Sequence, residues 1–549
     1  MKRIIPVFFC LLSIAAATSE ARSLSPDEAL ARVRESTGNA VLKVREATMH
    51  SPRLAARDSI SGTYYIFSTS EHSIIVGADD IAPALLGYTD TPTENTSAMP
   101  PQMQLWLKEY SRQIEWAREH HESPAYHAAE ADTRAPIEPL CTTRWGQDHP
   151  YNILCPSLNG ERTVTGCVAT AMAQIMRYHK YPQHGFDSKS YKWNGEEMYL
   201  DFTGYNFNWD NMPDEVNGDF NDADATDEIG RLLKTCGFSV EMDYNTSDKG
   251  GSGARDDNVP GAFINHFDYD KGLHLEYRDF YTAEDWNDMV YESLANGPVY
   301  YGGVTLSGGG HAFVCDGYDA DGYFHINWGW NGNFDGFFLL SALDPGGHGT
   351  GGSTGGYNFR QSAVLDIRPP FEGSVPAKPY MAVYQNMTCS TNNMLVRFGG
   401  GFYNMSGITG HFTIRMMVED TKGGIHYSKK YYEDDVPSFT GASVLDFDFP
   451  EELPDGIYRI RPVYCLDNDD LWTEFKVSIS TPSSFNVTLA NGKVTVGGEF
   501  EVAGIVAPEV TPEKDKWYNL NGIEIDPSHL TPGLYIKATG GKRCLTLIK

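Results

Sequence analysis

The run Thr165-Gly166-Cys167-Val168-Ala169-Thr170-Ala171-Met172-Ala173-Gln174 is apolar and alanine-rich after a glycine, and it predicts a buried helix with a cysteine in its first turn. Unpaired N–H groups and the helix dipole at that end favour thiolate over thiol. His311 follows 144 residues later in Gly308-Gly309-Gly310-His311-Ala312-Phe313-Val314, a glycine turn feeding a short apolar strand. Such a strand holds an imidazole at the rim of a sheet. A helix-borne thiol and a strand-borne imidazole are the parts of a nucleophile and its base.

Taken singly, neither residue says much, because a free cysteine is usually a small buried hydrophobe and a lone histidine is usually structural. Their company changes the reading. Gln147, in Thr143-Arg144-Trp145-Gly146-Gln147, lies upstream with an amide suited to a tetrahedral oxyanion beside the Cys167 N–H. Asn327 and Trp328, in His325-Ile326-Asn327-Trp328-Gly329-Trp330, follow the His311 strand by one hairpin, where either can orient or shield the imidazole. Papain-like proteases separate nucleophile and base by roughly 130–150 residues.

Other motifs fall away on physical grounds. Gly351-Gly352-Ser353-Thr354-Gly355 has the spacing of a serine nucleophile elbow without its strand and helix. Asp319-Ala320-Asp321-Gly322 reads as a hairpin turn and Asp219-Phe220-Asn221-Asp222-Ala223-Asp224 as a solvated acidic loop, since neither has the spaced glycine and closing glutamate of a calcium loop. His120, His121 and His127 lack a His-Glu-x-x-His arrangement. No metal or cofactor is expected.

Working outward, Lys2 and Arg3 precede an apolar stretch from Ile4 to Ala17 and small-residue cleavage options ending at Ala17 or Ala21. This reads as a secretory signal over 1–21, with no transmembrane anchor anywhere in the chain. A length of 549 residues suggests about three or four domains. The formal charge of −30 disfavours nucleic acid and anionic membranes as partners. Nine cysteines, one of them within the signal, are too few for a disulfide scaffold. Cys141 and Cys155 flank a short loop and either pair or stay as two buried thiols.

Ser25-Pro26-Asp27-Glu28 has the form of a capping box opening a helix. Strand-like runs follow at Thr63-Tyr64-Tyr65-Ile66-Phe67, Ser73-Ile74-Ile75-Val76 and Leu85-Leu86-Gly87-Tyr88, then a helical pattern through Met103, Trp106, Leu107, Tyr110 and Ile114. Residues 119–139 are rich in His, Ala and Pro and read as an exposed linker, which sets 22–134 apart as a small separate domain. Pro369-Pro370 marks a second boundary. Beyond it, runs such as Phe412–Val418, Gly456–Val463 and Lys493–Val496 predict β-sandwich modules over 371–484 and a smaller β module over 485–549.

The segment Thr165-Gly166-Cys167 through Lys180-Tyr181-Pro182, together with Gly310-His311-Ala312-Phe313-Val314, Asn327-Trp328-Gly329-Trp330, Asp335-Gly336-Phe337-Phe338 and the glycine-rich 346–356, closely resembles the streptopain family of secreted cysteine proteases. The resemblance covers roughly residues 25–368. It implies an α+β fold, with a papain-like catalytic domain over 135–370 behind a small α+β propeptide over 22–134. It implies synthesis as a zymogen, a Cys167/His311 dyad, Gln147 as oxyanion donor, and substrate contacts at Ser252, in Gly250-Gly251-Ser252-Gly253, and at Gly310. Protein or peptide substrates and the chain's own propeptide, as inhibitor, are the partners so implied, with Arg134-Ala135 a reasonable maturation bond. The tail resembles the sorting modules that end many secreted Bacteroidetes proteins, which implies export to the medium or the outer-membrane surface of a Gram-negative bacterium. Two alternatives share this residue set: an acyltransferase or amidase with the same acyl-enzyme, and a catalytically silent binding protein dominated by its β modules.

Overall fold

The computed structural model describes residues 22–36, 53–58, 61–119, 134–216, 222–304, 310–341, 361–467, 469, 471–478 and 481–500, and the strands Lys516–Tyr518, Glu524–Ile525, Gly533–Thr539 and Lys542–Ile548. The signal over 1–21, most of the linker, the glycine-rich 346–356 and Ser353 lie outside the described residues.

The N-terminal elements follow their local signals. Helix Pro26–Ser36 opens with Ser25 Oγ accepting from Glu28 N at 3.3 Å and Glu28 Oε2 accepting from Ser25 N at 2.8 Å, the reciprocal bonds of a capping box. Strands Tyr64–Ser68, Ser73–Gly77 and Leu85–Thr89 form an antiparallel meander, preceded by Arg53–Arg57 and followed by helix Pro101–Glu119.

These strands do not close on themselves. Leu85–Thr89 pairs antiparallel with Gly336–Phe338 in the register Gly336↔Thr89, Phe337↔Tyr88, Phe338↔Gly87. One mixed-origin sheet of ten strands results, running from Arg53–Arg57 through Leu85–Thr89, Gly336–Phe338, Phe324–Asn327, Gly310–Tyr318, Val299–Val304 and Gln361–Leu365 to His274–Tyr277. The N-terminal meander thus supplies the four outer strands of the sheet that continues into the following residues. Gly336 permits the junction, because a Cβ there would collide with the Tyr88 carbonyl. Side-chain alternation splits the sheet's neighbours into two cores. Tyr300, Ala312, Val314 and Val364 pack with helix Cys167–His179, whereas Tyr301, Phe313, Cys315 and Ala363 pack with Trp106 and Tyr110 of helix Pro101–Glu119.

Past Pro370, two antiparallel sheets share one buried core. One holds Met381–Val383, Thr388–Asn392, Leu395–Asn404 and Gly441–Asp448; the other is built around Gly410–Asp420 and Gly456–Leu466. The hairpin Phe485–Ala490 and Lys493–Val496 pairs onto Gly456–Leu466, so the sandwich continues past residue 484, and the tail's own four-stranded sheet begins at Lys516. No helix among the described residues is long and apolar enough to cross a membrane.

Candidate active site

Helix Cys167–His179 is buried from Cys167 to Met176. Gly166 precedes it at φ +85°, and a Cβ there would lie 2.7 Å from Met242 Sδ and 3.1 Å from the Ser252 carbonyl oxygen, so only glycine delivers the chain into this helix start. The Cys167 thiol accordingly sits at a helix N-terminus, where the nearby backbone N–H groups of Ala312, Val168 and Cys167 itself favour its charged form. Burial nevertheless outweighs these donors and pushes the thiol up to about 11, with the Asp256 carboxylate adding to the rise. The thiolate expected from the helix end is not the favoured form in this state of the chain.

His311 lies on strand Gly310–Tyr318, opposite Gly303. It is half-buried, and desolvation brings its imidazole down to about 4. Alternation puts it in register with Phe313, on the side of the sheet away from Ala312. The fold thus brings Cys167 beside the His311 strand, yet among the described residues no hydrogen bond or ion pair joins the two side chains.

Gln147 is half-buried, and its carbonyl holds Thr165 N at 3.1 Å, two residues before the thiol. Among the described residues its side-chain amide has no hydrogen-bond partner, so both its donors are available to an oxyanion. The loop that carries it is fixed by Gln174, one helical face down from Cys167. Gln174 Oε1 accepts from Thr143 Oγ1 at 3.0 Å, and Gln174 Nε2 donates to Asn327 Oδ1 at 3.0 Å. Asn327 Nδ2 closes the circuit onto the Thr143 carbonyl at 2.8 Å. Asn327 therefore ties the loop, the helix and the strand together and makes no bond to His311.

Trp328 is fully buried. Its Nε1 donates to the Phe334 carbonyl at 2.9 Å, and its ring lies 4.9 Å from Phe313 and 6.2 Å from Trp106. It supports the strand two residues beyond His311. Ser252 is buried beside Gly166, its hydroxyl donating to the Val164 carbonyl at 2.7 Å and accepting from Asn245 N at 2.8 Å, so its backbone rather than its hydroxyl faces the helix start. Gly310 is exposed at the strand's end. Cys141 and Cys155 are both free thiols. Asp319 does shape a turn, accepting from Asp321 N and Tyr323 N at 2.9 Å each. No group of three His, Cys, Asp or Glu among the described residues is placed to hold a metal.

Two members of this neighbourhood escaped the sequence reading. Gln174 stood in the quoted run, but only its i+7 offset from Cys167 hinted at a shared face. Asp256 carried no local signal at all.

Residues 145–338 match the peptidase C10 family, and residues 21–114 match the Spi protease inhibitor family. Streptopain of Streptococcus pyogenes is 33% identical over 329 residues, which cover 56% of this chain and 80% of that protein. The chain belongs to the peptidase C10 family. Peptidase C10 membership makes it a cysteine-type endopeptidase preceded by an inhibitor-like domain. The thiol protease/hemagglutinin PrtT of Porphyromonas gingivalis is 35% identical over 325 residues, a stretch that spans 37% of that protein. A fragment of Prevotella intermedia prointerpain A bearing a Cys-to-Ala substitution superposes with a TM-score of 0.50 at 31% identity, covering 58% of this chain and all of that one.

Proposed function

We propose that the chain is a secreted endopeptidase held inactive by residues 22–134 and released by cleavage in the linker. The observation that carries this reading is the junction of Cys167, at a buried helix N-terminus, with strand Gly310–Tyr318, which carries His311 near its start, together with a Gln147 side-chain amide without a hydrogen-bond partner among the described residues. In the released enzyme, Cys167 Sγ attacks the scissile carbonyl carbon while its proton passes to the His311 imidazole. The Gln147 amide and the Cys167 N–H hold the resulting oxyanion. His311 then gives the proton to the leaving amine as the C–N bond breaks, and water hydrolyses the thioester. Residues near Ser252 and Gly310 line the peptide's path, while Asn327 and Trp328 position the loop and strand without touching the imidazole.

Latency follows from the same geometry. A thiol near 11 and an imidazole near 4 share no proton at neutral pH, so the full chain lacks an active ion pair. Helix Pro101–Glu119 contributes by placing Trp106 5.5 Å from Phe313, directly behind the His311 strand. Its departure would let that strand's end re-aim toward Cys167. In this reading residues 1–21 direct export, 135–370 catalyse, and the β modules from 371 onward assist stability or surface display. Arg134 itself is docked, 3.1 Å from Asp288 and over the Tyr291 and Tyr318 rings, which favours first cuts on its N-terminal side.

The test is casein digestion by the chain after linker cleavage, with Cys167→Ala as the control. Activity is expected to fall by about three orders of magnitude or more in the variant. Proteolysis that persists undiminished would sink the assignment.

A further inference from the structure

Helix Val259–Phe267 buries Val259, Ala262, Phe263, His266 and Phe267 and leaves Gly261, Ile264 and Asn265 on its more open side. Beside it stands the turn between the sandwich strands Leu395–Asn404 and Gly410–Asp420. Gly407 of that turn, at φ +80°, presses on the helix: a Cβ there would sit 2.5 Å from Pro260 Cγ. One residue on, the two domains part. A Cβ on Gly261 would meet nothing nearer than Asn265 Nδ2 at 3.8 Å and the Gly407 carbonyl oxygen at 3.9 Å. A second contact between the domains is made by the Ser438 hydroxyl, which donates to Asp257 Oδ2 at 3.4 Å. With these contacts at its walls, a cleft of about 380 Å³ opens between helix and sandwich. Clefts at domain interfaces are common places for a small ligand.

The charges that line this cleft are already paired. Asp257 takes a two-pronged pair from Arg255 at 2.9 and 3.1 Å. Lys189 Nζ donates to the Ser239 carbonyl at 3.0 Å and lies 3.1 Å from Glu241. What remains free is neutral. His266 is only 6% exposed, with its ring stacked on Phe202 at 4.3 Å. Its Nδ1 lies 3.4 Å from the Phe186 carbonyl oxygen, which can only accept, so Nδ1 carries the proton and Nε2 the lone pair. Desolvation brings the imidazole below its ordinary value and keeps it in that neutral form. Nε2 has no hydrogen-bond partner among the described residues and is not sealed off, so this acceptor opens into the cleft that His266 lines. Asn258 spends its Nδ2 on the Val240 carbonyl at 2.9 Å, which leaves its Oδ1 as a second acceptor. The Asn265 amide and the Thr409 hydroxyl, unpartnered among the described residues, can each donate and accept. A buried acceptor without a donor is costly to keep, and its presence in a cleft points to a bound donor.

We propose that this cleft binds a neutral sugar residue, whose hydroxyls donate to His266 Nε2 and Asn258 Oδ1 and exchange hydrogen bonds with Asn265 and Thr409. A hydroxyl both donates and accepts, which is what this set of groups asks of a ligand. A cation would find the Asp257 carboxylate already paired, and an anion would face two lone pairs. Ile264 and Ile408, also in the lining, offer apolar surface to the C–H face of a sugar ring. Helix and sandwich both contribute groups, so the site gives the sandwich a part in capturing a ligand as well as in bracing its neighbour. The site is independent of the peptidase reading, since nothing in it touches Cys167 or His311.

The experiment uses the full chain carrying Cys167→Ala, which removes any self-digestion. It is titrated with glucose, galactose, mannose and N-acetylglucosamine, and with tetraglycine as a neutral peptide, binding being read by saturation-transfer NMR. At least one sugar should bind with a Kd of about 1 mM or tighter. Gly261→Leu, whose side chain enters the open space, should weaken that binding by about tenfold or more and leave the denaturation midpoint in place. Asn265→Ala, at an exposed and unpartnered position, should weaken it by about threefold or more, and it carries the test should Gly261→Leu lower the midpoint. No sugar bound at about 10 mM overturns the proposal, as does a sugar affinity that both substitutions leave unchanged. Tetraglycine bound in place of the sugars, and lost with Gly261→Leu, overturns it too by making the cleft a peptide site. Binding is read without catalysis, so each of these failures leaves the peptidase reading standing.

Discussion

Asn327 shows how a residue can stand at the expected place and do different work. Its amide bridges the Thr143 carbonyl, the Gln174 side chain and the Gly329 N–H, three buried groups from three segments. Replacing it by alanine strands all three, at about 1–3 kcal/mol for each buried group left unpaired. Asn327→Ala should therefore lower the denaturation midpoint of the chain and leave the pH dependence of the residual activity where it was; a shifted pH profile with normal stability would instead make Asn327 a partner of the imidazole. The helix start at Cys167 and the strand at His311 were legible in the sequence because each stands in a short run whose pattern reports its element. The Asn327 circuit was not legible, since it depends on how a loop, a helix and a strand end stack. The place of Asp256 was hidden for a related reason: its carboxylate fills the space left by Gly302, on a strand 46 positions away in sequence number.

At the scale of elements, helix Pro101–Glu119 is the part that, in the proposed function, links the N-terminal residues to the site. Its period placed Met103, Trp106, Leu107, Tyr110 and Ile114 on one face in the sequence, and all five are buried in the structure. The surface they meet was not foreseeable. Trp106 packs edge-on against Tyr301, Phe313 and Trp328, with centroid separations of 5.9, 5.5 and 6.2 Å. Edge-to-face aromatic contacts add to the area that an indole buries. Trp106→Ala should cost about 3–5 kcal/mol of the N-terminal domain's hold. The expected readout is a lower urea midpoint for the intact chain together with faster appearance of activity once the linker is cut. An unchanged midpoint would show that this helix does not brace the sheet.

The whole molecule is more tightly fused than its sequence boundaries imply. The breaks near residue 134 and at Pro369-Pro370 were visible as composition shifts and prolines. The bonds that cross them were not, because pairing between distant strands leaves no mark on either strand alone. Leu85–Thr89 extends the catalytic sheet across the first boundary. Across the second, Lys476 from the sandwich donates to Glu276 at 2.7 and 2.8 Å and to the Tyr281 hydroxyl at 2.8 Å, and lies 3.8 Å over the Tyr380 ring. Glu276 is the more enclosed partner of this pair, while the Lys476 side chain keeps part of its surface in water. The sandwich also reaches the turn Asp256–Asn258, where the Ser438 hydroxyl donates to Asp257 Oδ2 at 3.4 Å and the Phe439 ring lies 4.6 Å from the Arg255 guanidinium.

The central claim is that Cys167 is a nucleophile kept as a thiol until the N-terminal domain leaves. Its most direct test is the rate of Cys167 alkylation by iodoacetamide, followed by peptide mass against pH in the intact chain and again after linker cleavage and removal of residues 22–134. With a thiol near 11, the intact chain should react slowly at neutral pH, its rate climbing about tenfold for each pH unit between about 7 and 9 because only the thiolate attacks. The processed chain should react at least about a hundredfold faster at pH 7, with a rate that no longer climbs in that range. Equal rates and parallel pH profiles before and after cleavage would contradict the account.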